Sequence, residues 1–176
     1  VQSGSDKILK GMNRKHTAKS YLEVIEKLRV ARPDIALSGD FIVGFPGETD
    51  EDFEQTLELV REVKYAQAYS FKYSTRPGTP AAENKNQVPE EIKSERLSRL
   101  QALLSQHQKE FMGTMVGKVL PVLLERPGRL NGQLVGRSEY LHGVHASIDQ
   151  AQIGDIVNLR ILGADTNSLR AEFVSK

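Results

Sequence analysis

The 176 residues carry 24 lysines and arginines against 23 aspartates and glutamates, a formal net charge of +1, with 39% hydrophobic residues and no cysteine. Such a chain can bury one large or two small cores, and it offers no thiolate for disulfides, zinc or iron–sulfur ligation. It contains no apolar run of membrane-spanning length, and Val1-Gln2-Ser3-Gly4 lacks the basic and apolar parts of a secretion signal, so a cytoplasmic protein without membrane association is expected.

Charge is evenly spread: residues 1–112 hold 17 basic and 17 acidic side chains, residues 113–176 hold 7 and 6. Bulk charge therefore does not point to nucleic acid, and any RNA contact must come from local arrangement.

In chain order, residues 1–5 read as a strand end entering a turn. Ser5 or Asp6 can cap a short helix to Asn13, and Thr17 caps the next helix, whose apolar face carries Tyr21, Leu22, Ile25 and Leu28. A strand is expected over Ile35–Phe45. It runs into Asp40-Phe-Ile-Val-Gly-Phe-Pro-Gly-Glu-Thr49, where two glycines and a proline lead from a buried run to a helix start. Thr49 and Asp52 form a capping-box-like pair for a helix from Asp50 to about Lys64. A third strand, Ala66–Ser74, ends in the rigid turn Thr75-Arg76-Pro77-Gly78-Thr79-Pro80.

This βα order implies parallel strands with helices outside, and three strands are too few to close a barrel. Residues 81–88 read as a polar linker. From Pro89 to about Phe111 a long helix is expected, with Ile92, Leu97, Leu100, Leu103 and Leu104 on its apolar side and Arg96, Arg99 and Lys109 elsewhere. Beyond Met112 the period changes. Lys118–Leu124, Gln133–Arg137, Gly143–Ile148, Asp155–Ile161 and Ser168–Val174 read as short strands between Pro-Gly, Asn-Gly, Gly-Asp and Asp-Thr-Asn turns, which suggests a small barrel of OB-like size.

Chemistry is concentrated at the strand ends. Gln2, Arg14 and Asp40 occupy places where βα folds hold ligands. Arg14 is suited to a carboxylate or phosphate, Gln2 and Asp40 to ribose hydroxyls, although each alone also reads as an ordinary structural or surface residue. No phosphate loop, dinucleotide fingerprint or nucleophile–base pair is present. His142 and His145 lack a carboxylate pattern for a metal. In the small barrel, Arg126, Arg129, Arg137, Tyr140, His142, Arg160 and Arg170 offer cations and a few ring faces for RNA, or simply a solvated surface.

Several of these segments in fixed order resemble the MiaB-type tRNA methylthiotransferases. They are Val1-Gln-Ser-Gly-Ser5, Ile8-Leu-Lys-Gly-Met-Asn-Arg14 with His16-Thr17, Asp40 to Thr49, Tyr73-Ser-Thr-Arg-Pro-Gly-Thr-Pro-Ala81 and Val88-Pro-Glu-Glu91. Val135-Gly-Arg137 and Asn167-Ser-Leu-Arg170 are similar to the TRAM RNA-binding module. The resemblance implies an α/β fold class: the carboxy-terminal part of a partial (β/α) barrel of radical S-adenosylmethionine (SAM) type over residues 1–112, then an all-β TRAM barrel over 113–176.

It further implies an enzyme that adds a methylthio group to carbon 2 of an isopentenyl-adenosine beside the tRNA anticodon. Two 4Fe-4S clusters serve that family. One S-adenosylmethionine supplies the methyl group, and another yields the radical that takes the adenine hydrogen. By the same resemblance Gln2 and Asp40 contact ribose, Arg14 pairs with the methionyl carboxylate, Ile42 makes an apolar or backbone contact to the adenine, and the partner is the anticodon loop of tRNA; Arg76, at a strand end, and Arg126, Arg137, Arg160 and Arg170 of the small barrel are the candidate RNA contacts read from the residues.

Where the family carries cluster cysteines this chain has none, so it is expected to be a carboxy-terminal fragment, inactive alone, whose clusters are ligated outside it. The alternatives are a sibling methylthiotransferase acting on threonylcarbamoyl-adenosine or a ribosomal protein, and an RNA-binding module without catalysis.

Overall fold

The computed structural model describes residues Val1–Val174; 175 and 176, the last two of the expected TRAM barrel, lie outside the described residues. Two compact units are formed, Val1–Gln108 and Lys109–Lys176, each with its own core.

The first unit begins with α1 (Asp6–Gly11), capped by the Ser5 hydroxyl, which accepts from the Ile8 N–H. It closes with a Schellman turn: Asn13 is left-handed (φ 57°), its N–H donates to the Lys10 carbonyl, and the Arg14 N–H donates to the Leu9 carbonyl at 2.8 Å. Next come α2 (Ala18–Ala31), β1 (Ser38–Val43), α3 (Asp50–Val63) and β2 (Gln67–Lys72). Thr17 and Thr49 both complete capping boxes, the second with Asp52 standing where Glu is usual.

β1 and β2 are parallel, with Asp40 opposite Tyr69 and Ile42 opposite Phe71. Phe41 and Val43 are fully buried against the helices with Phe53, Leu57, Val60 and Tyr65. The alternation of a strand therefore turns Asp40, Ile42, Tyr69 and Phe71 to the opposite face.

Three expectations need correction. Residues 1–5 form no strand; the bond from the Ile42 N–H to the Gln2 carbonyl, 3.0 Å, lays that segment beside β1. The segment expected as a linker contains a short helix, α4 (Pro80–Glu83), because Thr79 caps it and Pro80 pre-sets its first turn. On α5 (Glu90–Gly113), Leu100 and Leu104 are buried, but Ile92 is exposed, whereas Arg96, read as lying off the packed side, is 4% exposed.

The second unit is a closed barrel of β3 (Val119–Pro127), β4 (Gln133–Ser138), β5 (Gly143–Ser147), β6 (Ile156–Ala164) and β7 (Ser168–Phe173), in the order β3-β4-β5-β7-β6. All its pairings are antiparallel except β5 with β7. Alternate residues fill it: Leu120, Val122 and Leu124 from β3, Leu159 and Ile161 from β6, with Met112 and Met115 plugging the core. At Gly136 a Cβ would lie 2.1 Å from the Leu123 carbonyl oxygen, so β4 can approach β3 there only as glycine. No helix among the described residues is long and apolar enough to cross a membrane.

Candidate functional site

The Val1–Lys7 segment is fastened to the start of α3. Ser3 Oγ lies 3.1 Å from Thr56 Oγ1, which also accepts from the Gly4 N–H at 2.9 Å. A Cβ on Gly4 would fall 2.2 Å from the Gln55 carbonyl oxygen, so the backbone is pressed directly onto the helix. Asp52 gathers donors: Ser5 Oγ at 2.6 Å, Lys7 Nζ at 2.6 Å, and the N–H and hydroxyl of Thr49 at 2.9 and 3.0 Å. Burial alone would raise its pKa, but these donors outweigh it and hold the carboxyl down at about 2. Lys7 also donates to the Gly47 carbonyl at 2.8 Å, tying this segment to the glycine turn.

That turn, Gly44 to Glu48, is locked by a buried ion pair. Glu48 Oε2 accepts from the Gly44 N–H and from Arg96 Nη1, both at 2.7 Å, while Arg96 Nη2 reaches Asp50 at 2.7 Å. Burial pushes the Glu48 carboxyl up; the Gly44 N–H and the Arg96 charge pull against it. Gly44 is left-handed (φ 72°), and a Cβ there would meet Lys93 Cγ at 2.4 Å, so glycine is required twice over. Phe45 packs edge-on against Tyr73, whose ring also faces Lys93 Nζ at 5.8 Å. Glu48 and Lys93 were not singled out from sequence, and Arg96 was read only as lying off the apolar side of its helix. A Glu just before a helix and an Arg 48 residues later carry no local sign of pairing.

The predicted cofactor residues fall as follows. Val1 packs with the helix-side core and Ser3 bonds to α3, so alternation along the extended segment turns Gln2 to the face that carries Asp40 and Ile42. Gln2 Oε1 is buried with no hydrogen-bond partner. Arg14 is exposed, its backbone fixed by the Schellman turn. An acceptor lacking a donor, a carboxylate, an aliphatic side chain and a guanidinium are the side-chain types that a nucleoside with an anionic arm calls for. No residue here fits an iron–sulfur cluster, since the chain has no cysteine.

Arg76 opens a type II turn: Pro77 and Gly78 (φ 78°) take the central positions, and Thr79 donates to the Arg76 carbonyl through its N–H (3.3 Å) and hydroxyl (2.8 Å). Its side chain is exposed. The barrel arginines do not form one cluster in the strand register. Arg137 on β4 pairs with Glu125, Arg160 on β6 with Glu172, and Arg170 on β7 lies across Gly163 beside His145. Arg126 follows a bulge in β3. Arg129 is exposed beyond β3, whereas Tyr140 is half-buried and His142 buried against Phe111.

The profile of the Radical SAM superfamily matches residues 1–60, and that of the TRAM domain matches residues 113–174. A protein of Agrobacterium fabrum named tRNA-2-methylthio-N(6)-dimethylallyladenosine synthase is 63% identical over 172 residues, 98% of this chain and 38% of its own length. Proteins of the same name from Ruegeria sp. and Roseobacter denitrificans are 59% and 61% identical, covering 99% and 97% of this chain and 39% and 38% of theirs. The chain thus spans less than half the length of these curated relatives. The solution structure of a conserved Methanococcus maripaludis protein aligns over 34% of this chain and 80% of its own at 23% identity, with a TM-score of 0.30. The chain thus carries a match to the Radical SAM superfamily in its first part and to the TRAM domain in its last, and nearly all of it is similar to part of these relatives.

Proposed function

We propose that this chain supplies the rear wall of an S-adenosylmethionine pocket and an RNA grip to a protein that methylthiolates carbon 2 of a dimethylallyl-adenosine beside the tRNA anticodon. The observation that carries this reading is the shared face of Gln2, Asp40 and Ile42, with Gln2 Oε1 buried and lacking a donor. S-adenosylmethionine, when bound, supplies the methyl group and the one-electron chemistry. Gln2 and Asp40 accept from the ribose hydroxyls, Ile42 covers the adenine, and Arg14 donates to the carboxylate. The two clusters of the family are ligated by residues outside this chain. Arg76 and the barrel arginines Arg126, Arg137, Arg160 and Arg170 neutralise phosphates of the RNA. The functional division lies at residues 112 and 113.

In the full-length protein, Arg14→Ala removes a charge-assisted pair worth about 1.5–3 kcal/mol, at least a tenfold loss of S-adenosylmethionine affinity. Asp40→Ala weakens binding in the same direction. Equilibrium dialysis with labelled cofactor measures both. Wild-type affinity in the two variants would sink the assignment and favour a module that binds RNA without catalysis.

A further inference from the structure

The face that carries Asp40 and Ile42 continues onto β2 as two aromatic rings. Tyr69 lies opposite Asp40 and Phe71 opposite Ile42, and both are 55% exposed. Parallel strands are ordinarily covered on both faces, so two large rings left open at alternate positions mark a surface that takes a flat or apolar occupant. The Tyr69 hydroxyl accepts from Gln67 Nε2 at 3.0 Å, which restrains that ring.

β2 has β1 as its one strand neighbour among the described residues, and along its other edge runs a groove of about 330 Å³ bordered by Tyr69 and Phe71. Ala68, Ser70, Gln101, Leu104, Ser105 and Gln108 complete the lining of that groove toward the helix side, whereas the open ring face is the one shared with Asp40 and Ile42. Two exposed rings on the same face as the proposed cofactor residues match a flat base that carries an apolar substituent.

We infer that Tyr69 and Phe71 form the platform on which the target adenine of the RNA stacks, with its hydrocarbon arm over Phe71. The inference rests on the functional reading above and extends it from cofactor to substrate. The target base is taken out of its stack and laid on the rings next to the cofactor residues, an arrangement that suits chemistry on a base carbon.

The test uses the full-length protein with its clusters in place and two anticodon stem-loops, one with and one without the N6 dimethylallyl group. Tyr69→Ala and Phe71→Ala are each expected to raise KM for the prenylated stem-loop about tenfold, and Phe71→Ala to reduce the preference for it over the plain one. S-adenosylmethionine affinity should stay at the wild-type level, and Tyr69→Phe should restore KM. Unchanged KM and preference in both alanine variants overturn the platform. So does a parallel loss of thermal stability, cofactor affinity and RNA affinity, the result of rings that merely pack against another part of the protein. A wild-type protein that binds no S-adenosylmethionine refutes the underlying functional reading instead, so the two failures are separable.

Discussion

Asp52 shows how far one side chain can be committed to holding a segment in place. Its carboxyl, buried and nearly saturated with donors from Ser5, Lys7 and Thr49, is held at about 2 against a usual value of 3.8. Because the folded value is the lower one, the stabilisation is complete above about pH 4 and is lost as pH falls toward 2, with about 2 kcal/mol at stake. Asp52→Asn should lower the unfolding free energy by that amount at pH 7, and the gap to wild type should narrow steadily between pH 4 and 2 in urea titrations. Sequence made the capping role of Asp52 readable, since Thr49 lies three residues before it. The grip on Ser5 and Lys7 was not readable, because it joins residues 45 or more positions apart. Gln2 and Asp40 were likewise recognisable as strand-end polar residues, whereas the unpartnered Gln2 Oε1 emerges only when the segment lies against β1.

At the level of elements, α5 is what keeps the glycine turn in shape. Arg96 is buried with Glu48, so removing the cation strands an ionised carboxylate in the interior, which costs about 3–5 kcal/mol. Arg96→Met is therefore expected to lower Tm sharply, while the double variant Glu48→Leu with Arg96→Met recovers much of the loss. The Glu48 pKa is raised, so the Arg96→Met protein should be relatively better off at mildly acidic pH, where Glu48 takes up a proton; thermal scans across pH 4–7 check both points. The strands of the barrel were legible because strict alternation between Pro-Gly and Asn-Gly turns leaves one period to choose. α5 was legible as a helix but not in its packing. A helix with charges on several sides reads as solvated, and the tertiary partner alone turns Arg96 inward. The α4 turn was missed because polar residues after Pro80 outweighed the Thr79 cap in a linear reading.

Across the molecule, two cores are built by different rules, one of helices against a parallel pair of strands and one inside a closed barrel. Neither contains a thiol, which sets a limit on what the chain can do by itself. Treated with iron and sulfide under anaerobic conditions, it should give no stable four-iron absorbance, whereas the full-length protein should; a cluster spectrum from this chain alone would require oxygen or nitrogen ligation and contradict the proposed division of labour. The family resemblance carried this conclusion further than composition could, because missing cysteines acquire meaning only beside the motifs that usually accompany them.

The unpaired side of β2 has a consequence for handling as well as for chemistry. A strand whose amides are free along one margin is a template for another extended backbone, and aromatic residues beside it strengthen such adhesion. Crowded solutions of the chain would thus drift toward copies stitched edge to edge.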